Sequence, residues 1–198
     1  MNEQQFINTF WPYAKQVQTK YRIPALVALA QAALESGWGK STPGHMLFGI
    51  KAGSSWKGEK QLLTTSEYHD TNTVKYPEII SIEKLDTGRY KYKVKTWFRK
   101  YNSFAESFDD YGKLLSGSER YKNAFTYSDP YKFAAEIAKA GYSTSKDYYT
   151  QLAKIINGLQ KESPTNQYIK AIAAGVMLGL VINLKDQHDY AKANRSKL

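Results

Sequence analysis

Apolar positions recur along the first 160 residues at two different periods. Between residues 3 and 21 they fall at Phe6, Ile7, Phe10, Tyr13, Ala14, Val17 and Tyr21, the three-and-four spacing of a helix buried along one face. Pro12 interrupts that spacing and lacks a backbone donor, so a short helix, a Pro-started second helix or a kink is expected. Pro24 is placed to take the first position of the next helix. That helix runs to about Ser36, where Gly37 is suited to stop it. Residues 37–60, rich in Gly, Ser and Lys, read as loop.

From 61 to 101 the period becomes two. In "RYKYKVKTWFRKY" Tyr90, Tyr92, Val94 and Thr96 point one way and Lys91, Lys93 and Lys95 the other, the pattern of a strand with one wet face. "QLLTTSEYH" is a second strand candidate, and Asp86-Thr87-Gly88 reads as a turn. Helical spacing then returns. Phe104, Phe108, Tyr111, Leu114 and Leu115 mark one helix, with Ser103 as N-cap and Glu106 three residues on. Phe133, Ala134, Ile137 and Ala138 mark a second, ended by Gly141. Tyr149, Leu152, Ala153, Ile156 and Leu159 mark a third.

The fold class is therefore α+β: a mostly helical domain over residues 1–161 with a small antiparallel β lobe inserted at about 60–100. Residues 162–198 form a separate C-terminal segment, with an extra apolar helix over 168–184 and a polar tail. Its 12 consecutive apolar residues, 171–182, fall short of the roughly 20 needed for a span. A helix packed on the domain or on a partner, and a short membrane-seeking segment, both fit this stretch.

Composition adds a constraint and an invitation. The 198 residues carry a net charge of +10, which favours anionic partners such as nucleic acid, an anionic membrane or a bacterial wall. No nucleic-acid recognition motif accompanies it. With no Cys, and with His45, His69 and His188 far apart, neither disulfides nor a zinc site is expected; no cofactor or metal is called for. Sixteen Tyr suit a half-wet cleft, their bodies apolar and their tips polar. The N-terminus has neither a basic start nor an unbroken apolar core, so it does not read as a signal peptide.

The residue that asks for an explanation is Glu35. It closes the nearly apolar run "ALVALAQAALES" and precedes Gly37-Trp38-Gly39. An acid at such a helix end is partly dehydrated and lies near the negative end of the helix dipole. Both effects disfavour its charged form. A carboxyl that holds its proton near neutral pH can deliver it to a leaving oxygen, as in glycoside cleavage.

"ALVALAQAALESGWGKS" with "LFGIKA" at 47–52 resembles the N-acetylglucosaminidases of glycoside hydrolase family 73, wall-cutting domains of autolysins, phage lysins and flagellar rod-assembly proteins. "SWKG" at 55–58, "TTSEY" at 64–68, "FRKYNSFAESFDDYGKLL" at 98–115 and "AGYSTSKDYYTQLAKII" at 140–156 follow in the family's order. The resemblance covers residues 1–160. It implies a lysozyme-like fold with a β lobe over a groove, and cleavage of the β-1,4 bond between N-acetylglucosamine and N-acetylmuramic acid in peptidoglycan. It also implies catalytic roles for Glu35 as general acid, Glu67 as second carboxylate and Tyr142 near the cleft. Trp38, Phe48, Gly49, Lys51 and Tyr68 are the candidates for lining the groove. Two departures stand out: His45-Met46-Leu47 precede the Phe-Gly motif where many relatives have Asn nearby, and residues 70–90 are longer than in compact relatives.

Glu67 is open to two roles, activating a water or standing by while the substrate's own acetamido group attacks. A muramidase or lytic transglycosylase on the same fold, and a non-catalytic wall-binding module, are the competing readings. A monomeric phage or virion lysin acting at the bacterial wall, with 168–184 free for membrane or protein contact, is the expected setting, and a fragment of a bacterial autolysin is the alternative.

Overall fold

The computed structural model describes residues 1–143 and 145–164, with Asn166, Lys170 and Ile172. The C-terminal helix expected over 168–184 lies, but for single residues, outside the described residues. In chain order the elements are α1 (Glu3–Tyr21), α2 (Ala25–Ser36), a 3-10 turn (Pro43–His45), β1 (Lys60–His69), β2 (Glu78–Lys84), β3 (Tyr90–Arg99), α3 (Phe104–Ser116), a second 3-10 segment (Glu119–Thr126), α4 (Pro130–Lys139) and α5 (Tyr148–Glu162). The helices enclose one apolar core, and the three strands stand apart from it as an antiparallel sheet in the order β1-β3-β2.

Of the alternatives at Pro12, α1 excludes a short helix and a second, Pro-started one: a single helix runs through it. The missing N–H leaves the Asn8 carbonyl, four residues back, without its helical partner. Asn8 and Pro12 are both exposed, so water can take that bond. Phe6, Ile7, Phe10, Ala14 and Val17 on the opposite face are buried and hold the helix to the core. Its start is fixed by a capping box in which Asn2 and Gln5 exchange side-chain and backbone bonds. Pro24 proves to be the residue before α2 rather than its first.

α2 is the centre of the body. Val27, Ala28, Leu29, Ala30, Ala32 and Ala33 are wholly buried, so this helix is apolar nearly all round, as a helix inside a bundle must be. Gly37 ends it in the left-handed conformation (φ 58°), its neighbour Trp38 following at φ 60°. α3 begins with the Ser103 hydroxyl accepting from the Glu106 amide, while the Glu106 carboxylate reaches Asn102 instead of Ser103. In α5 it is Tyr148 that is buried, whereas Tyr149 is 40% exposed.

In the lobe, Tyr92 and Val94 of β3 are buried and Lys93 is exposed. β1 alternates in the same way, with Leu63, Thr65, Glu67 and His69 on the sheltered face. β2 is exposed along its whole length and bulges between Ile79 and Ser81. The lobe is joined to the body through main chain: Ala52 and Arg99 amides bond across the Lys51–Phe98 bridge region to the Trp97 and Ile50 carbonyls. Arg99 also donates from Nη1 to both carboxylate oxygens of Asp110 of α3 at 2.8 Å, and Tyr101 donates to the same carboxylate at 2.7 Å.

Candidate active site

Glu35 lies in the last turn of α2. Its residue surface is open to water on one side, yet protein crowds the carboxyl from behind, and this loss of solvation pushes its pKa from 4.5 up to about 7. Among the described residues no charged partner offsets the effect. Three phenols sense its charge: Tyr111 of α3, Tyr142 after α4 and Tyr148 at the start of α5, all with pKa values pushed up, chiefly by burial.

The segment 47–52 links this carboxyl to the lobe. A Cβ on Gly49 (φ 59°) would lie 4.0 Å from the Glu35 carboxylate. Two residues on, Lys51 pairs with Glu67 of β1 at 2.8 Å. One short stretch of chain therefore touches both acids. Glu67 is half-buried, stands opposite Tyr92 in the sheet, and its charge helps burial raise the pKa of Tyr76. Tyr76 in turn bonds His69 at 2.7 Å.

Tyr142 follows Gly141, whose φ of 75° turns the chain back toward Glu35. Its ring stacks on Tyr148 at 5.6 Å and also meets Tyr121. Phe48 is 3% exposed and lies flat on Tyr111 at 4.1 Å, with its edge on Phe108; it supports the segment from inside the core. Trp38 turns its ring to Phe6 of α1, in a hollow shared with Leu34, Ile155 and Leu159. Tyr68 is 48% exposed on the opposite face of β1 from Glu67, across from Lys91. The structure thus links Glu35 to Gly49 and, two residues on, Lys51 to Glu67, with Tyr142 within reach of the Glu35 charge, while the Trp38 ring turns to α1 and Tyr68 to the other face of β1.

Sequence reasoning passed over Gln31 and Tyr148. Gln31 is wholly buried, donates to the Tyr148 hydroxyl at 2.7 Å and accepts from the Tyr111 hydroxyl. It was visible as the only polar residue between Ala25 and Leu34, one helical turn before Glu35.

A helical body with an appended three-stranded antiparallel lobe, joined by the segment that passes Glu35, is a lysozyme-like fold. Residues 11–161 match the glucosaminidase family model, described as mannosyl-glycoprotein endo-beta-N-acetylglucosaminidase. The chain belongs to this family, glycoside hydrolase family 73. It is 37% identical over 164 residues to the peptidoglycan hydrolase FlgJ of Pseudomonas aeruginosa, covering 79% of this chain and 36% of that protein. It is 28% identical to the exo-glucosaminidase LytG of Bacillus subtilis, covering 87% and 58%. The chain thus spans less than two thirds of the length of either relative.

Among solved structures, the glycoside hydrolase domain of Salmonella typhimurium FlgJ aligns over 94% of this chain and 99% of its own, at 28% identity and TM-score 0.60. A peptidoglycan hydrolase mutant from Sphingomonas sp. A1 aligns over 80% and 97%, at 33% identity and TM-score 0.64. These relatives are bacterial, and the expectation of a phage lysin finds no support in them. Among the described residues no helix is long and apolar enough to cross a membrane.

Proposed function

We propose that the protein cleaves peptidoglycan at the β-1,4 bond between N-acetylglucosamine and N-acetylmuramic acid, with Glu35 as general acid. The observation that carries the reading is the Glu35 carboxyl itself, poised near pKa 7 by lost solvation at the segment that also holds Glu67 through Lys51. As the glycosidic C–O bond breaks, the Glu35 proton passes to the leaving oxygen and the electron pair of the bond goes with it. The anomeric carbon is then captured by water, with Glu67 taking the water's proton, or by the substrate's acetamido oxygen before water opens the ring so formed. Tyr142, stacked on Tyr148 and within reach of the Glu35 charge, is the tyrosine that flanks the acid in this reading.

Purified peptidoglycan, incubated with the protein and analysed by mass spectrometry for new ends, tests this. Reducing N-acetylglucosamine ends are expected, with at least 100-fold loss in Glu35→Gln, the scale on which general acids contribute. Reducing muramic ends would make the enzyme a muramidase, and anhydro ends a lytic transglycosylase. Binding without any new ends would leave a wall-binding module.

A further inference from the structure

Beneath Glu35 lies a polar chain that the cleavage chemistry does not consume. Gln31 precedes Glu35 by four residues on α2, so the two side chains leave the same face of the helix. Gln31 has no exposed surface. Its amide bonds the Tyr111 hydroxyl of α3 on one side and the Tyr148 hydroxyl of α5 on the other. Each phenol carries a ring in turn: Phe48 lies on Tyr111 with 11° between planes, and Tyr142 on Tyr148 with 24°. Phe48 belongs to the segment that brings Gly49 to Glu35, and Tyr142 feels the Glu35 charge from the other stack. A single side-chain amide therefore braces both flanks of the acid.

The same amide controls proton donors. A phenol can hand a hydrogen bond to a carboxylate, which stabilises the ionised form and takes the acid's proton away. Whichever way the amide is turned, Gln31 occupies the hydrogen of one of the two phenols. The titratable groups coupled to Glu35 are Tyr111, Tyr142 and Tyr148, with Tyr121 reaching it through Tyr142. An apolar side chain at position 31 would match the Ala and Leu around it. It would also leave two buried hydroxyls seeking partners, on phenols that feel the Glu35 charge.

We propose that Gln31 is a positioning residue for Glu35: it locks Tyr111 and Tyr148 under Phe48 and Tyr142 and withholds a phenolic donor from the carboxyl. The proposal rests on Glu35 being the general acid. Its test is a carbon-13 NMR titration of the glutamate side-chain carboxyls in labelled protein, with the Glu35 signal assigned by its loss in Glu35→Gln.

In Gln31→Leu the Glu35 midpoint falls by half a pH unit or more, and the alkaline limb of kcat/KM on solubilised glycan strands moves with it. A merely structural role would lower activity and leave both midpoint and limb in place, which overturns the proposal. In Gln31→Glu the neutral acid reproduces both bonds. Burial keeps that carboxyl protonated through the range in which Glu35 titrates, so activity stays within about threefold of wild type and the midpoint and alkaline limb stay in place. Should Gln31→Leu fail to fold, Gln31→Met, close to Gln in shape but without its amide, takes its place: a midpoint and limb superimposable on wild type refute the positioning role. The titration needs no turnover. A wild-type protein that releases no reducing ends removes the hydrolase reading alone, and an unmoved midpoint in an active enzyme removes the Gln31 proposal alone.

Discussion

Replacing Glu35 by Gln is expected to stabilise the protein while it removes activity, and to do so only above a definite pH. The carboxyl has a pKa of about 7 in the fold against 4.5 when solvated. Between those values the folded protein holds a proton that the unfolded chain has lost. Stability attributable to Glu35 is therefore full below pH 4.5 and is lost as pH rises through 7. The difference corresponds to about 3 kcal/mol at most. Because Glu35 meets solvent on its open side, screening reduces this to about 1–2 kcal/mol. A chain of this size then gains roughly 2–8 °C in Tm. Thermal melts of both proteins by circular dichroism from pH 4 to pH 9 supply the measurement. The two curves should coincide near pH 4, separate between pH 5 and 7, and run parallel above 8. A gap that is constant with pH, or that closes as pH rises, would refute the account of Glu35 as an acid held neutral by lost solvation.

Other outcomes follow from the packing. Phe48→Ala, which removes a ring stacked on Tyr111 in the core, should cost about 3–5 kcal/mol in urea unfolding; a loss under 1 kcal/mol would place Phe48 in the groove instead. Asp110→Ala leaves the largely buried Arg99 without its partner and should cost about 2–4 kcal/mol, with proteolysis between residues 70 and 90 as an independent readout of a loosened lobe. Pro12→Ala restores the helical bond to Asn8 and should stabilise by about 1–3 kcal/mol, seen as a higher denaturant midpoint. Cleavage by the wild-type enzyme should decline above about pH 7 as Glu35 ionises, and a rate still rising at pH 9 would contradict its role as acid.

The helices were legible because each buries one stripe, and a stripe leaves a period in the sequence. β1 and β3 were legible for the same reason at period two. β2 was not located: "EIISIEK" is exposed on both faces, so no burial pattern marks it. Pro12 misled because its position on the wet face of α1 is invisible in one dimension. Tyr148 was exchanged for Tyr149 because its burial is set by Gln31, 117 residues earlier, a contact that no local spacing encodes. At the candidate site, the sequence marked Glu35, Glu67 and Tyr142 through their motifs. It carried no information on the direction of the Trp38 ring, which a left-handed backbone turns toward α1. Gln31 carried the one overlooked signal, a polar residue inside an apolar helix.

β2 and the turn at Asp86–Gly88 lie on the rim of the sheet, away from every core residue of the helical body. Insertions or deletions there change the reach of the lobe with little thermodynamic penalty, since lengthening a surface loop carries only a slowly growing entropic cost. This stretch is accordingly where evolution can redraw the outline of the lobe while Glu35 and the segment beside it stay untouched.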